Sequence, residues 1–209
     1  MIIGLVGQNC SGKDTAANYL ASMGFERYSL SDYLREIVEK KELALQDEKQ
    51  KNPSLFAKIM GILGGAGGKS AVTREKLIEV GNALRAEFGP GVLGEKALQH
   101  FKPGKDYVVI SIRTPAEAKA LMQNEEFVLV ALDAPASVRF QRMKSRHREE
   151  DPSTFENFMA VEKKENEGGD RLSVAETMKM AKYSLDSSSS IEDEIREVEK
   201  LCKKLGISL

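Results

Sequence analysis

The chain has 209 residues, 41% hydrophobic and 30% charged, which suits a globular protein with a sizeable core. A formal net charge of −1 excludes a global electrostatic pull toward nucleic acid or a membrane surface. Cys10 and Cys202 have no metal-ligand or redox spacing, neither histidine has a metal-partner spacing, and no window is apolar for long enough to span a bilayer. With neither a basic leader nor a long apolar start, and with reduced thiols, the chain is expected in the cytoplasm.

The first element is an apolar run, Ile2-Ile3-Gly4-Leu5-Val6, predicted as a buried strand. Gly7-Gln8-Asn9-Cys10-Ser11-Gly12-Lys13-Asp14-Thr15 follows, and then Ala16-Ala17-Asn18-Tyr19-Leu20, predicted as a helix. Strand, glycine-rich loop and helix start in that order hold phosphate. Glycines allow the tight backbone, successive N–H groups surround the anion, and the helix N-terminus adds positive potential. Lys13 supplies a mobile charge for the outer phosphates. Asp14 stands where the commonest spelling has Ser or Thr, and Thr15 comes one place later. Cys10 lies inside this loop, so a disulfide there would not leave an open nucleotide site.

Further strands are predicted at 27–30, 107–112, 127–132 and 183–186, with helical patterns between them. Alternation of strand and helix predicts a parallel sheet with helices on both faces and a site at the strands' carboxyl ends. After the second strand, Ser31 or Asp32 is the expected helix cap, and Arg35 follows. Residues about 36–105 then form a mostly helical insertion, with Thr73 as N-cap of a helix carrying Arg74 and Arg85. The glycine-rich run 61–69 is expected to be a hinge. The third strand leads into Arg113-Thr114-Pro115, with Pro115 in a helix's first turn. After the fourth strand comes a helix bearing Arg139, Arg142, Arg146 and Arg148. The polar stretch 147–170 is expected to be a flap and an exposed helix.

In order, these segments resemble the P-loop nucleoside monophosphate kinases, adenylate kinase among them. Gly12-Lys13-Asp14-Thr15 has that family's offset hydroxyl, and Leu30-Ser31-Asp32-Tyr33-Leu34-Arg35 and Ile112-Arg113-Thr114 look like its two acceptor-phosphate segments. Phage-type deoxynucleoside monophosphate kinases are similar in Ser11-Gly12-Lys13-Asp14-Thr15 and in Arg74-Glu75-Lys76-Leu77. Dephospho-coenzyme A kinases share the framework. An archaeal group of adenylate-kinase-related proteins is close around Asp151-Pro152-Ser153-Thr154.

The resemblance implies one three-layer α/β P-loop kinase domain over 1–209, a five-stranded parallel sheet with an acceptor-binding insertion at about 36–105 and a lid at about 143–170. It implies ATP and Mg2+, with Gly7 through Thr15 and Arg142 on ATP, and Thr15 and Asp14 at the metal. Asp32, Arg35, Arg74, Arg85 and Arg113 would meet the acceptor. Lys13, Asp32, Arg142 and Arg146 would carry catalysis, with Arg148 closing over the transferring group. Ser111 stands where the family usually has an aspartate for the magnesium water shell, so Asp14 or Asp32 is expected to supply that carboxylate. The implied partner is a small phosphorylated acceptor, and the protein a monomer or homodimer. The expected activity is nucleoside or deoxynucleoside monophosphate kinase. Dephospho-coenzyme A kinase is the alternative enzyme, and a nucleotide-binding regulatory ATPase the alternative from another class.

Overall fold

Five short apolar runs pair as the strands β1 (Ile2–Val6), β2 (Glu26–Ser29), β3 (Tyr107–Ile110), β4 (Phe127–Asp133) and β5 (Tyr183–Asp186). In the computed structural model, which describes residues 1–40, 52–63, 73–146, 151–166 and 173–207, they form one parallel sheet in the order β2-β3-β1-β4-β5. β1 is central, with Ile2 opposite both Tyr107 and Phe127. An unbroken apolar run is what a strand covered on both faces requires.

Alternate side chains leave the sheet in opposite directions and build two cores. Ile2, Val6, Tyr107, Val109 and Leu129 face one way. They pack against α2 (Leu30–Lys40), α3 (Pro53–Ile62), α4 (Arg74–Phe88), α5 (Val92–His100) and α6 (Pro115–Leu121). Ile3, Leu5, Val108, Ile110, Val130 and Leu132 face α1 (Lys13–Ser22) and α10 (Ile191–Lys204). Between β4 and β5 lie α7 (Ala136–Ser145), α8 (Phe155–Asn166) and α9 (Val174–Met178). Cys202 is buried in the second core and Cys10 lies at the loop; both are free thiols.

The expected architecture is present, with local corrections. β3 stops at Ile110 rather than 112 because Ser111 takes φ 64°, a left-handed conformation that cannot continue a strand. α2 starts at Leu30, so its cap is Ser29 and not Ser31 or Asp32. The Ser29 hydroxyl accepts from Ser31 N at 3.3 Å, and Asp32 accepts from Ser29 N at 3.1 Å. Thr73 and Pro115 hold their expected places. The helix within 147–170 is not wholly exposed, since α8 buries Phe158 and Glu162. Of the glycine-rich run, residues 64–69 lie outside the described residues, as do His147, Arg148 and the side chain of Arg74. Among the described residues no helix is long and apolar enough to cross a membrane.

Candidate active site

The loop from Gly7 to Thr15 joins the end of β1 to the start of α1, at the centre of the sheet's carboxyl edge. Gly7 passes so close to β4 that a Cβ would overlap the Leu132 carbonyl oxygen and Ser11 Oγ. Gly12 is the left-handed N-cap of α1 at φ 90° and offers no side-chain cap. Gly12 thus puts no side chain over the first turn of α1, which is what an anion approaching those N–H groups requires. Lys13 Nζ lies back on the loop, donating to Gly7 O and Gln8 O at 2.7 Å each and to Ser11 Oγ at 3.3 Å. Burial pushes its ammonium down to about 8; Arg113 and Arg139 push the same way, while Asp14 and Cys10 oppose them.

That depression has a consequence for ligand binding. Phosphate favours the charged lysine, so an anion bound in the loop raises its pKa. Below about pH 8 Lys13 is already protonated, and binding takes up no proton there. Above that value binding must take one up, and ATP affinity is expected to fall by up to about tenfold per pH unit. Calorimetric titration at pH 7, 8 and 9 checks this; an affinity unchanged to pH 9 contradicts it.

Two arginines of α7, Arg139 and Arg142, and Arg146 at its C-cap approach the loop. Arg139 is 4% exposed. Its Nε donates to Ala134 O at 2.8 Å, its Nη1 reaches the loop carbonyl of Asn9 at 3.4 Å, and both Nη atoms pair with Glu162 on α8. Arg142 donates to Ser187 Oγ at 3.0 Å and to Ser189 O at 3.1 Å. Arg146 is exposed, with Nη2 against Cys10 Sγ. Burial raises the Cys10 thiol, against the pull of Arg146.

The ends of β2 and β3 carry hydroxyls where a carboxylate was missing. Ser29 Oγ lies 2.7 Å from Ser111 Oγ and 2.9 Å from Ser31 Oγ. Asp32 and Arg35 are exposed on the first turns of α2. Arg113 follows β3, and its guanidinium is near enough to Lys13 to depress the ammonium. Beneath it, fully buried Glu117 accepts from Arg113 N at 2.9 Å, Thr114 N at 3.2 Å and Arg85 Nη2 at 2.7 Å. Arg85 is thus held in a buried ion pair. Asp14 is 72% exposed and pairs with Arg27 on the outside of α1. Among the described residues no three acids, histidines or cysteines cluster as metal ligands; the oxygens a hard cation such as Mg2+ would use at the strands' carboxyl edge are those of half-buried Thr15, of Asp32 and of the Ser29–Ser31–Ser111 cluster.

Structure thus gathers Gly7 through Lys13, Arg113, Arg142 and Arg146 around one loop and leaves Asp14 and Arg35 on exposed helix faces. Sequence reading assigned no role to Arg139, Glu162, Ser187 or Glu194. Glu117 carried a signal that went unread: Thr114-Pro115-Ala116-Glu117 spells a capping box, and both of its bonds form.

The AAA domain family matches residues 3–167 of the chain. The chain is 28% identical over 212 residues to a UPF0200 protein of Pyrococcus abyssi, an alignment covering 98% of this chain and 97% of that one. In fold it is similar to the solved structure of TT1252 from Thermus thermophilus, with a TM-score of 0.55 at 21% identity, covering 98% of this chain and 97% of that one. A dephospho-CoA kinase from Campylobacter jejuni superposes with a TM-score of 0.50 at 14% identity, over 98% and 96% of the two chains. With the match spanning most of the sheet and the whole phosphate loop, the chain belongs to the AAA domain family and has the three-layer fold of the P-loop kinases.

Proposed function

We propose that the protein is an ATP-dependent phosphotransferase that moves the γ-phosphoryl group of ATP onto a nucleoside or deoxynucleoside monophosphate. The supporting observation is that β1 and β3 are parallel neighbours, so the phosphate loop after β1 and Arg113 after β3 leave the same carboxyl edge of the sheet, where Arg113 helps to depress the Lys13 ammonium. That adjacency supports a donor loop and an acceptor-side arginine at one site. Such transfer needs two anions held in line, their charge neutralised and water kept out.

In this reading Lys13 leaves the Gly7 and Gln8 carbonyls for the phosphates, and the loop amides take the β-phosphate. Arg113 and Arg35 hold the acceptor phosphate by charge-assisted hydrogen bonds, and Arg142 and Arg146 reach the transferring group. Arg85 acts through Glu117, which fixes the backbone of Arg113. Mg2+ would lie by Thr15 with Asp32, since Asp14 is turned outward onto Arg27, and it would neutralise phosphate oxygens when bound. The helices between β2 and β3 serve as the acceptor-binding insertion, and 143–170 as the lid.

A second reading, a hydroxyl acceptor as in dephospho-coenzyme A, draws on Asp32, whose carboxylate shares Ser29 with the hydroxyl cluster at the strand ends. A hydroxyl must lose a proton on attack; a monophosphate needs no base. A coupled ADP-release assay over nucleoside monophosphates, deoxynucleoside monophosphates and dephospho-coenzyme A separates the two. With a monophosphate acceptor, Asp32→Asn is expected to cost about tenfold or less; as a general base it would cost about a hundredfold to ten-thousandfold. Turnover of dephospho-coenzyme A alone, with the larger loss, overturns the first reading. A nucleotide switch without an acceptor would bind ATP, raise its melting temperature and ignore every monophosphate added.

A further inference from the structure

Behind the phosphate loop lies a carboxylate that the proposed chemistry does not use. Glu194, in the first turn of α10, is 2% exposed. Its Oε2 accepts the Ser187 hydroxyl at 2.6 Å, and its Oε1 is buried without a hydrogen bond. A Cβ on Gly12 would overlap both carboxylate oxygens and Ser187 Oγ, so the acid is pressed against the α-carbon that starts α1. Arg142 closes the arrangement. Its Nη1 donates to Ser187 Oγ at 3.0 Å and lies 3.9 Å from Glu194 Oε2, while Nη2 donates to Ser189 O at 3.1 Å. The loop, α7, the turn after β5 and α10 therefore meet at one side chain.

Packing alone gives no reason for an acid here. An apolar side chain would fill the space without the cost of desolvating a charge. Burial does push the carboxyl above its usual range, and the Ser187 hydroxyl, Arg142, the Ala16 backbone and Lys13 draw it back. Its partners are thus the residues that locate the Arg142 guanidinium on one side and the start of α1 on the other. A shift of Gly12 toward bound phosphate moves the surface on which the carboxylate rests.

We propose that Glu194 is a positioning residue: through Ser187 it fixes Arg142 to the rear of the phosphate loop, so that loop and guanidinium respond to ATP as one unit. This rests on the reading of the loop as an ATP site. Only Arg142 is taken to touch the nucleotide; Glu194 and Ser187 act through it and through Gly12.

A double-mutant cycle tests the idea. Glu194→Gln keeps the volume and an acceptor for Ser187 but removes the charge, and Arg142→Gln removes the guanidinium. Each is expected to weaken binding of ATP with magnesium about tenfold by calorimetry, and the double variant no more than either alone, because the residues act as a unit. Multiplication of the two losses to about a hundredfold overturns the proposal. So does a Glu194→Gln protein that melts lower yet binds ATP as the wild type does, which is the mark of a purely structural acid. Hydrogen exchange in the nucleotide-free protein gives a second readout. Amides of 12–16 and 187–190 are expected to exchange faster in Glu194→Gln, Arg142→Gln and Ser187→Ala alike; unchanged exchange in the three variants refutes the linkage. A wild type that binds no ATP defeats the phosphotransferase reading, and the exchange pattern then decides the proposal by itself.

Discussion

Lys13→Ala is expected to lose phosphoryl transfer by at least about a hundredfold while the protein stays folded. The ammonium lies on the carbonyls of Gly7 and Gln8, within the curve of the loop. In the proposed transfer, charge gathering on the phosphoryl group would be stabilised there in a water-poor site, where one donor is worth roughly a hundredfold to a thousandfold in rate. Stability responds differently because two effects oppose each other. Alanine forfeits the two carbonyl bonds of the charged ammonium, each worth about 1.5–3 kcal/mol. It also removes a buried cation whose desolvation holds its pKa near 8, far below the ordinary lysine value. The linkage sign agrees. Between about 8 and 10.5 the unfolded chain binds more protons than the nucleotide-free fold, so this group adds stability as pH rises through that window. Turnover and melting temperature of the purified variant check both halves. Turnover within about tenfold of wild type ends the phosphate-loop assignment.

The loop and the sheet around it were legible because their signals are local. β1 announces itself as an unbroken apolar run, and the glycine spacing and Lys13 follow within one turn of chain. The strand ends were less legible. Ser111 halts β3 by adopting φ 64°, which nothing in a serine announces, since left-handed positions are mostly filled by glycine or asparagine. The cap of α2 was misplaced by two or three residues because Ser29-Leu30-Ser31-Asp32 holds several residues of capping chemistry. What the arginines do was not legible at all. Arg85 and Glu117 are 32 residues apart, Arg139 and Glu162 are 23, and Arg142 meets Ser187 across 45. No periodicity reports such pairs. They exist because parallel strands return the chain to the same edge after each helix.

Those distant contacts share a design: a buried acid stands behind Arg113, Arg139 and Arg142. Glu117 fixes the backbone at Arg113, Glu194 reaches Arg142 through Ser187, and Glu162 takes Arg139. A guanidinium free in solution loses rotamer freedom when it grips a phosphate. One whose stem or backbone is already fixed loses less on binding. In the proposed site, Arg113 and Arg142 would take their placement from carboxylates that do not touch ligand.

Glu162→Ala is expected to be the most destabilising single change among these acids. Arg139 is 4% exposed and Glu162 is 8% exposed, so both charges are out of water. The pair is bidentate, with Nη2 to Oε1 at 2.8 Å and Nη1 on Oε2, and the guanidinium also lies 5.5 Å from the Phe158 ring centre. Alanine leaves the guanidinium buried with two carbonyl partners, Ala134 and Asn9, and no counter-charge. Removing one member of a buried pair costs about 3–5 kcal/mol, several times the worth of a surface pair. For a chain of this size that is a fall in melting temperature of roughly ten degrees. The damage should also reach the phosphate loop, since the nitrogen that reaches Asn9 O is one of the two that lose Glu162. Replacing both partners, as Arg139→Met with Glu162→Leu, should recover most of the stability, because apolar packing then replaces two desolvated charges. Scanning calorimetry of the single and double variants makes the comparison. A Glu162→Ala protein melting within about two degrees of wild type shows that Arg139 finds water, and the buried latch between α7 and α8 is then not what holds α8 to the loop.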